Sequence, residues 1–331
     1  MSTYQNFITR SLILAVTGIV VFCISGCRSR LERQSSDADT LLKGNISISG
    51  AFALYPLTVT WAENFKARHP NVNIDISAGG AGKGMVDVLS GMVDLAMFSR
   101  EVTPEEEAKG AWKIAVAKDA VFPTINASNT TLTELKSKGL TREQFKSIFT
   151  SSGELTWNSF SGITSGEKIN VYTRSDACGA AAMWASFFGR QQEDLAGIGV
   201  FGDPGIADAV KKDKFGVGYN NLIYIYDIKT DLVNEGLAII PIDLNGDRQI
   251  TSDENFYETM QEAREAIKAG KYPSPPARSL YLIAKGKPEN RLIMEFLNYI
   301  LNNGQELISR AGYIEQDENS LHKQKERLKK P

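Results

Sequence analysis

Three short apolar segments near the start of the chain each lead into a short or glycine-rich loop and then into a predicted helix. The segments are residues 46–48, 72–76 and 93–97, and the loop at 77–84 holds four glycines in eight positions. This alternation predicts a mostly parallel α/β sheet with helices on both faces. Ligands of such sheets bind outside the carboxyl ends of the strands, so we expect the three loops to share one binding site.

A fourth strand–loop–helix transition lies at the centre of the chain. A predicted strand at 168–172 runs into Arg174 and a loop of small residues, and a helix is predicted over 180–188. The first N–H groups of a helix lack partners, and with the helix dipole they favour an anion. Arg174 adds a planar fork of donors. The alternative is an ordinary turn in which Arg174 pairs with Asp176 or a surface carboxylate.

The N-terminal residues predict a lipoprotein signal peptide over 1–26. Arg10 is their only charged residue, an apolar run covers 11–22, and Ile24-Ser-Gly-Cys27 follows it as a lipobox. Cleavage before Cys27 leaves a cysteine that carries acyl chains such as palmitate, and two or more chains anchor a protein stably. Residues 27–43 are polar and are expected to form a tether. A transmembrane anchor is the alternative for the apolar run.

Charge and reactive residues exclude several function classes. Removal of residues 1–26 changes the formal charge from 37 − 39 = −2 to 36 − 39 = −3, so no basic field for nucleic acid exists. After cleavage Cys178 is the only thiol besides the acylated Cys27, so no intramolecular disulfide is expected. His69 and His322 are the only histidines, and neither belongs to a catalytic motif. We therefore expect no enzyme. An activated thiolate at Cys178 is an alternative to a small residue filling space.

Residues 243–254 follow the spacing of a calcium-binding loop. Oxygen-bearing side chains recur at positions that match an EF-hand loop. The candidate ligands of a structural calcium ion are Asp243, Asn245, Asp247, Gln249, Thr251 and Glu254. Arg248 stands where such a loop needs glycine. The alternative is a polar turn that caps a helix predicted over 255–269.

The sequence predicts two crossovers between the halves of the fold and a C-terminal tail. A long apolar strand at 114–122 and a proline-rich stretch at 272–276 connect the halves of the predicted fold. Further strands are predicted at 222–226 and 280–284, and helices at 290–302 and 304–311. Residues 316–331 are highly charged, so we expect a solvated and partly disordered tail.

Five ordered stretches together resemble one known family. They are Gly50-Ala-Phe-Ala-Leu-Tyr-Pro-Leu57, Gly79-Gly-Ala-Gly-Lys-Gly84, Asp94-Leu-Ala-Met-Phe-Ser-Arg100, Arg174-Ser-Asp-Ala-Cys-Gly179, and Asn298-Tyr-Ile-Leu-Asn-Asn-Gly-Gln305 with Ala311-Gly-Tyr313. The chain resembles the phosphate-binding lipoproteins of phosphate ABC transporters. The resemblance covers about residues 44–315.

The resemblance implies a two-lobed type II periplasmic binding protein. Each lobe would hold a mixed, mostly parallel sheet flanked by helices, and two hinge crossovers would join the lobes. Lobe I would comprise 44–120 and 279–315, and lobe II 121–278. The implied protein is a monomer held by its lipid on the outer side of a bacterial membrane. Its implied partners are phosphate or another small anion and the subunits of an ABC permease.

The resemblance also assigns a set of ligand-binding positions. They are Phe52, Ala53, Leu54, Gly80, Ala81, Gly82, Ser99, Arg100, Arg174, Cys178, Gly179 and Ala180. The family carries hydroxyl groups where this chain has Ala53, Ala81, Cys178 and Ala180. Hydrogen bonds to a charged group contribute about 1.5–3 kcal/mol each, so these exchanges leave two alternatives to the capture of phosphate or a related oxyanion. One is a less polar phosphorylated or carboxylated solute, and the other is a sensor or interaction lipoprotein without phosphate binding.

Overall fold

One curled, mixed sheet of nine strands organises the residues that the structure, a computed structural model, describes: 42–162 and 166–330. The strands are β1 (Gly44–Gly50), β2 (Val72–Ala78), β3 (Leu95–Phe98), β4 (Ala111–Asn126), β5 (Asn170–Arg174), β6 (Ile198–Val200), β7 (Gly216–Asn221), β8 (Leu237–Ile239) and β9 (Ala277–Lys285). The predicted signal peptide, most of the tether and the lipidation site Cys27 lie outside the described residues.

Twelve α-helices in the described part of the chain pack against this sheet or cover its loops. They are α1 (Tyr55–Arg68), α2 (Ala81–Ser90), α3 (Pro104–Ala108), α4 (Leu132–Lys138), α5 (Arg142–Thr150), α6 (Asn158–Ser161), α7 (Gly179–Phe187), α8 (Gly202–Lys212), α9 (Leu222–Ile225), α10 (Met260–Lys268), α11 (Arg291–Leu301) and α12 (Glu318–Lys329). Short 3-10 segments include Phe52–Leu54 before α1, and Asn303–Leu307 and Ser309–Ala311 after α11. The α/β class predicted from the alternating pattern is therefore confirmed.

The sheet is parallel at its two ends and antiparallel in its middle. Its order is β2-β1-β3-β9-β4-β7-β5-β6, with β8 beside β4. β1 runs parallel to β2 and β3, and β5 runs parallel to β6 and β7. The antiparallel pairs all involve β4 or β9. The described strands thus form one continuous sheet, where the sequence predicts a separate sheet for each lobe, because β4 and β9 run through both halves.

Two large hydrophobic clusters meet on β4 and β9. The first cluster includes Ala117 of β4 and Leu280 of β9. The second includes Ala120 and Ala277 on the same two strands. Only two positions on each strand separate the clusters, so the boundary between the two cores falls at residues 118–119 and 278–279.

One predicted strand is a helix, and one predicted helix starts later. Of the predicted strand 222–226, residues 222–225 form α9, in which Leu222 and Ile225, three positions apart, are both buried. A short apolar run does not by itself distinguish strand from helix. The helix predicted over 255–269 begins at Met260, where Thr259 and Glu262 form a capping box.

The predicted C-terminal tail is an ordered helix, so that prediction is wrong for residues 318–329. Asp317 caps α12 by accepting a hydrogen bond from the Ser320 N–H, and Leu328 is buried against the first cluster. The Gln324 side chain accepts a hydrogen bond from Ala115 N–H at 3.2 Å. High charge obscures this helix in the sequence, because its docking depends on a few tertiary contacts, which include Leu328, Leu321 and the Gln324 amide.

We predict that Leu328→Ala lowers the free energy of unfolding by about 2 kcal/mol, because it leaves a cavity beneath α12. Urea unfolding monitored by circular dichroism measures the change. The matched control is Lys323→Ala on the exposed side of the same helix, which should stay within about 0.5 kcal/mol of the parent. Equal effects of the two substitutions would show that α12 is not docked.

Candidate functional site

Loops from distant parts of the chain contact one another at the predicted site. Gly82 N–H donates to Ala177 O at 3.0 Å, and Tyr224 OH donates to Phe52 O at 2.9 Å. A Cβ atom on Gly179 would come within 2.2 Å of Ser99 O, so only glycine permits this approach. The structure therefore brings the loops around residues 52–54, 80–82, 99 and 178–180 together.

Three helices begin at these loops, and two of them have no side-chain cap. α1 starts after Leu54, and α2 starts after Gly80, whose positive φ of 89° favours glycine. No capping side chain satisfies the first N–H groups of α1 and α2, but Tyr55 N–H donates to Phe52 O and Gly82 N–H donates to Ala177 O, and Pro56 has no N–H. At α7 the thiol sulfur of Cys178 accepts from Ala181 N–H at 3.3 Å. Helix starts favour an anion through their dipoles and through whichever of their first N–H groups have no other partner.

The guanidinium of Arg174 is buried between two carboxylates. Its Nε donates to Asp176 Oδ1 at 2.8 Å, and its Nη2 lies 2.5 Å from Asp176 Oδ2. Its Nη1 lies 2.5 Å from Asp203 Oδ2. Burial lowers the pKa of Arg174, but Asp203 above all outweighs it, so the pKa lies above its ordinary value. The pairing with Asp176, left open by the sequence, is confirmed, and Asp203 is an additional partner.

The aromatic ring of Phe52 closes one side of this ion cluster. The Arg174 guanidinium carbon lies 5.5 Å from the centre of the Phe52 ring. Phe201, from the loop before α8, meets the same ring edge-on at 5.6 Å. Phe52 therefore contacts Arg174 through its ring, while its carbonyl accepts from Tyr224.

Arg100, the other predicted arginine, is bound to a different carboxylate. Its Nη1 and Nη2 donate to the two oxygens of Glu106 at 2.9 and 2.7 Å. Its guanidinium lies 4.6 Å from the centre of the Phe98 ring. It also lines a surface pocket of about 390 Å³ that reaches Cys178 and Arg190. Arg100 therefore lies beside the converging loops, with its charge committed to the capping residue of α3.

Cys178 is not an activated thiolate. Its side chain is buried and unpaired with any other cysteine. Burial raises the pKa of its thiol to about 12, and the opposing effect of Arg174 is smaller. The remaining interpretation is that Cys178 is a small residue that fills the N-cap position before α7. Ala53, Ala81 and Ala180 are buried as well.

The carboxylates of the loop at 243–254 mostly satisfy the loop's own backbone. Asp243 accepts from Gly246 N–H and Arg248 N–H at 2.7 and 3.0 Å, and Glu254 accepts from Leu244 N–H at 2.9 Å. Arg248 has a positive φ of 63°, which is the conformation for which a calcium loop uses glycine. Within residues 42–162 and 166–330, no three acidic, histidine or cysteine side chains group as metal ligands. Calcium binding stays a prediction without geometric support.

Four buried polar residues beside the site were missed in the sequence. Asp203 contacts Arg174, and Asn221 Nδ2 donates to Asp203 Oδ1 at 2.5 Å. Arg278 Nη2 contacts the Asn221 amide oxygen and lies 3.3 Å from Asp119 Oδ2. The turn at 201–203, which also joins a strand to a helix, could have signalled Asp203. Nothing local signals the other three, because their contacts join residues far apart in the chain.

Comparison with known proteins identifies the family. A PBP superfamily domain matches residues 35–303. The chain belongs to the PBP superfamily. Phosphate-binding protein PstS of Staphylococcus haemolyticus is 24% identical over 298 residues, which cover 87% of this chain and 86% of that protein. The chain is thus a distant relative of PstS proteins.

Two solved structures share the fold of this PBP superfamily member. A putative phosphate ABC transporter substrate-binding protein from Clostridium perfringens, solved with bound phosphate, has a TM-score of 0.67 and 22% identity, covering 83% of this chain and all of that one. An ABC-type phosphate transport receptor from Vibrio cholerae has a TM-score of 0.60 and 19% identity, covering 82% and 100%. These likenesses show the fold that the chain shares with the two proteins.

A search for membrane-spanning helices among the described residues found none that is both long and apolar enough.

We predict that the carboxyl group of Asp119 titrates near pH 6, because burial raises its pKa to about 6 from 3.8 and the pull of Arg278 does not compensate. Between pH 3.8 and about 6 the native protein binds more protons at this carboxyl group than the unfolded chain does. The contribution of Asp119 to the free energy of unfolding therefore falls as pH rises through this range. A ¹³C NMR titration of the side-chain carboxyl measures the pKa. A midpoint near 4 would contradict the burial of this ion pair.

We predict that Cys178 does not react with Ellman's reagent at pH 8 in the native chain starting at residue 28, where it is the only thiol. One equivalent should react after unfolding, because burial blocks access and raises the pKa. The control is Ser186→Cys, on the exposed side of α7, whose added thiol should react in the native state. Rapid reaction of Cys178 itself would contradict the burial of this thiol.

Proposed function

We propose that the protein is an extracytoplasmic solute-binding lipoprotein of an ABC-type importer and that it captures phosphate or a related oxyanion. One observation carries this proposal: the starts of α1, α2 and α7 converge beside the buried guanidinium of Arg174. Backbone N–H groups at helix starts and a planar guanidinium are the donors that oxyanions prefer. The kinship with PstS proteins supports the same function.

The two hydrophobic clusters support the proposed division into lobes. Lobe I would comprise 44–120 and 279–315, and lobe II 121–278. β4 and β9 would serve as the two hinge crossovers, since the boundary between the clusters falls on both strands. The solute would then lie between the lobes, where Gly82 and Ser99 of one meet Ala177 and Gly179 of the other.

The anchoring and the partner are proposed from the N-terminal sequence and from kinship. Acylation of Cys27 would hold the protein at the outer face of a bacterial membrane through the tether at 27–43. The binding lobes would deliver the solute, as a monomer, to the subunits of an ABC permease. Calcium at 243–254 is not needed for any of these steps.

Charge in the site sets how an oxyanion would bind. Arg174 supplies one positive charge, and Asp176 and Asp203 supply two negative charges, so the cluster carries a formal charge of −1. An arriving anion therefore has to take over part of the hydrogen bonding that Asp203 now provides. Among the described residues, the N–H groups at the three helix starts are not paired with carboxylates, and they would donate further hydrogen bonds to the anion.

A second solute class is favoured by the side chains around these donors. Ala53, Ala81 and Ala180 offer no hydroxyl, and the thiol of Cys178 is a weak donor. The ring of Phe52 adds an apolar wall. A phosphorylated or carboxylated organic solute would use the same donors for its anionic group and this wall for its organic part. A sensor or interaction lipoprotein without phosphate binding is the remaining alternative from the sequence.

Isothermal titration calorimetry of the chain starting at residue 28 tests the proposal. Inorganic phosphate should release or absorb heat with one site per chain, and it should raise the melting temperature by mass action. The absence of both at millimolar phosphate would reject phosphate as the solute. A thermal-shift screen of organic phosphates and carboxylates then separates the second solute class from loss of solute binding.

We predict that Cys178→Ser tightens phosphate binding about tenfold, because a hydroxyl donates to a charged acceptor more strongly than a thiol does. Calorimetry of both proteins under identical buffer conditions measures the ratio. Cys178→Ala is the matched control, and it should not tighten binding, since it offers no donor. It should also lower stability by about 1 kcal/mol through loss of the α7 cap. Equal affinities for the serine and alanine variants would place the anion away from this position.

A further inference from the structure

Arg278 occupies the boundary between the two hydrophobic clusters. It pairs with Asp119 across β9 and β4 in the antiparallel register, between Ala277 of the second cluster and Leu280 of the first. Both side chains of this ion pair are 2% exposed. A buried ion pair is weak evidence for stability, because desolvation offsets much of the attraction. Stability alone therefore does not explain why this ion pair lies between the two cores.

A continuous chain of side-chain contacts leads from Arg278 to the candidate anion site. The guanidinium of Arg278 donates to the Asn221 amide oxygen. The Asn221 amide nitrogen donates to Asp203 Oδ1 at 2.5 Å, and Asp203 Oδ2 accepts from Arg174 at 2.5 Å. All four residues are buried. We call this chain, Arg278–Asn221–Asp203–Arg174, the relay.

The donor and acceptor groups of the relay determine which way the Asn221 amide is oriented. A guanidinium only donates and a carboxylate only accepts, so the residue between Arg278 and Asp203 must do both. The amide of Asn221 does so, with its oxygen towards Arg278 and its nitrogen towards Asp203. A second contact, from Asn220 Nδ2 to Asp203 O at 3.0 Å, holds the backbone of Asp203 in place.

Arg278 is held through only one of its three nitrogens. Its Nη2 makes both the contact to Asp119 and the contact to Asn221. Its Nε and Nη1 are buried and have no hydrogen-bond partner in the described part of the chain. Unsatisfied buried donors are costly. The position of Arg278 thus keeps the contact of Nη2 with Asn221, while its other two nitrogens stay without hydrogen bonds to described residues.

We propose that Arg278 is a positioning residue for anion binding at Arg174. It holds Asn221, Asn221 orients the carboxylate of Asp203, and Asp203 sets how much of the Arg174 guanidinium an anion has to compete for. This inference rests on the proposed oxyanion function. Because Arg278 lies between the two cores, a change in the placement of one core relative to the other reaches Arg174 through the relay.

The test is a double-mutant cycle on the chain starting at residue 28, with inorganic phosphate as the probe. Arg278→Lys keeps the charge and loses the planar fork, and Asn221→Ser removes the bridging amide. Each substitution should change the phosphate dissociation constant about tenfold. The double variant should differ no more than the larger single change, because both substitutions break the same chain. Unchanged affinity in both folded variants would overturn the proposal, as would fully additive effects.

Tyr272→Phe is the matched control. Its hydroxyl donates to Val121 O at 2.6 Å, so the substitution removes a buried hydrogen bond to β4 outside the relay. It should lower the urea midpoint and leave the phosphate affinity unchanged. A change in phosphate affinity equal to that of Arg278→Lys would show that the effect of Arg278 is general destabilisation, and it would overturn the proposal.

A ligand-free measurement separates this inference from the proposed function. The ¹⁵N NMR signal of Arg174 Nε reports its contact with Asp176 without any solute. Arg278→Lys and Asn221→Ser should both shift this signal and speed its hydrogen exchange, whereas Tyr272→Phe should not. If phosphate does not bind the parent protein but the signal shifts, the proposed phosphate function fails and the relay stands. If phosphate binds and neither affinity nor the signal responds, the relay is wrong.

Discussion

The ion cluster of Arg174 with Asp176 and Asp203 is the interaction on which the candidate site depends. A guanidinium this deeply buried is tolerable only when carboxylates compensate its charge. Asp176 follows β5 and Asp203 opens α8, so the cluster ties together two loops that the sheet brings side by side. The same carboxylates limit what the site can accept, because an anion has to compete with Asp203 for the donors of Arg174. In the proposed function, recognition would then fall largely to backbone N–H groups at the helix starts.

Backbone donors would allow the proposed anion site to work without hydroxyl side chains. The N–H groups at the start of α2 need only the loop geometry, which Gly80 provides through its positive φ. Close contact of Gly179 with Ser99 likewise depends on the absence of a side chain. In the proposed site, Ala53, Ala81 and Ala180 would therefore alter affinity and preference among solutes and leave the backbone donors in place. Phe52 adds an apolar wall where the solute's remaining part would lie.

The sequence predicts the loops well and the network behind them poorly. Strand–loop–helix patterns are local, so the positions of Gly80, Gly82 and Arg174 follow from short stretches of residues. The contacts of Asp203, Asn221 and Arg278 join residues that are 18 or 57 positions apart, and no local pattern encodes them. The helix at Glu318–Lys329 was missed for a related reason, since its docking rests on tertiary contacts to β4. The alternation of strands and helices predicted the parallel ends of the sheet but not the antiparallel middle that β4 and β9 impose.

The central claim is that an oxyanion binds where the starts of α1, α2 and α7 meet Arg174. Crystals grown or soaked with arsenate, a phosphate analogue with a usable anomalous signal, test it directly. The account predicts one strong arsenic peak within hydrogen-bonding distance of the Arg174 guanidinium and of backbone N–H groups at these helix starts. A strong peak elsewhere in the chain, or no peak at saturating arsenate, would contradict it.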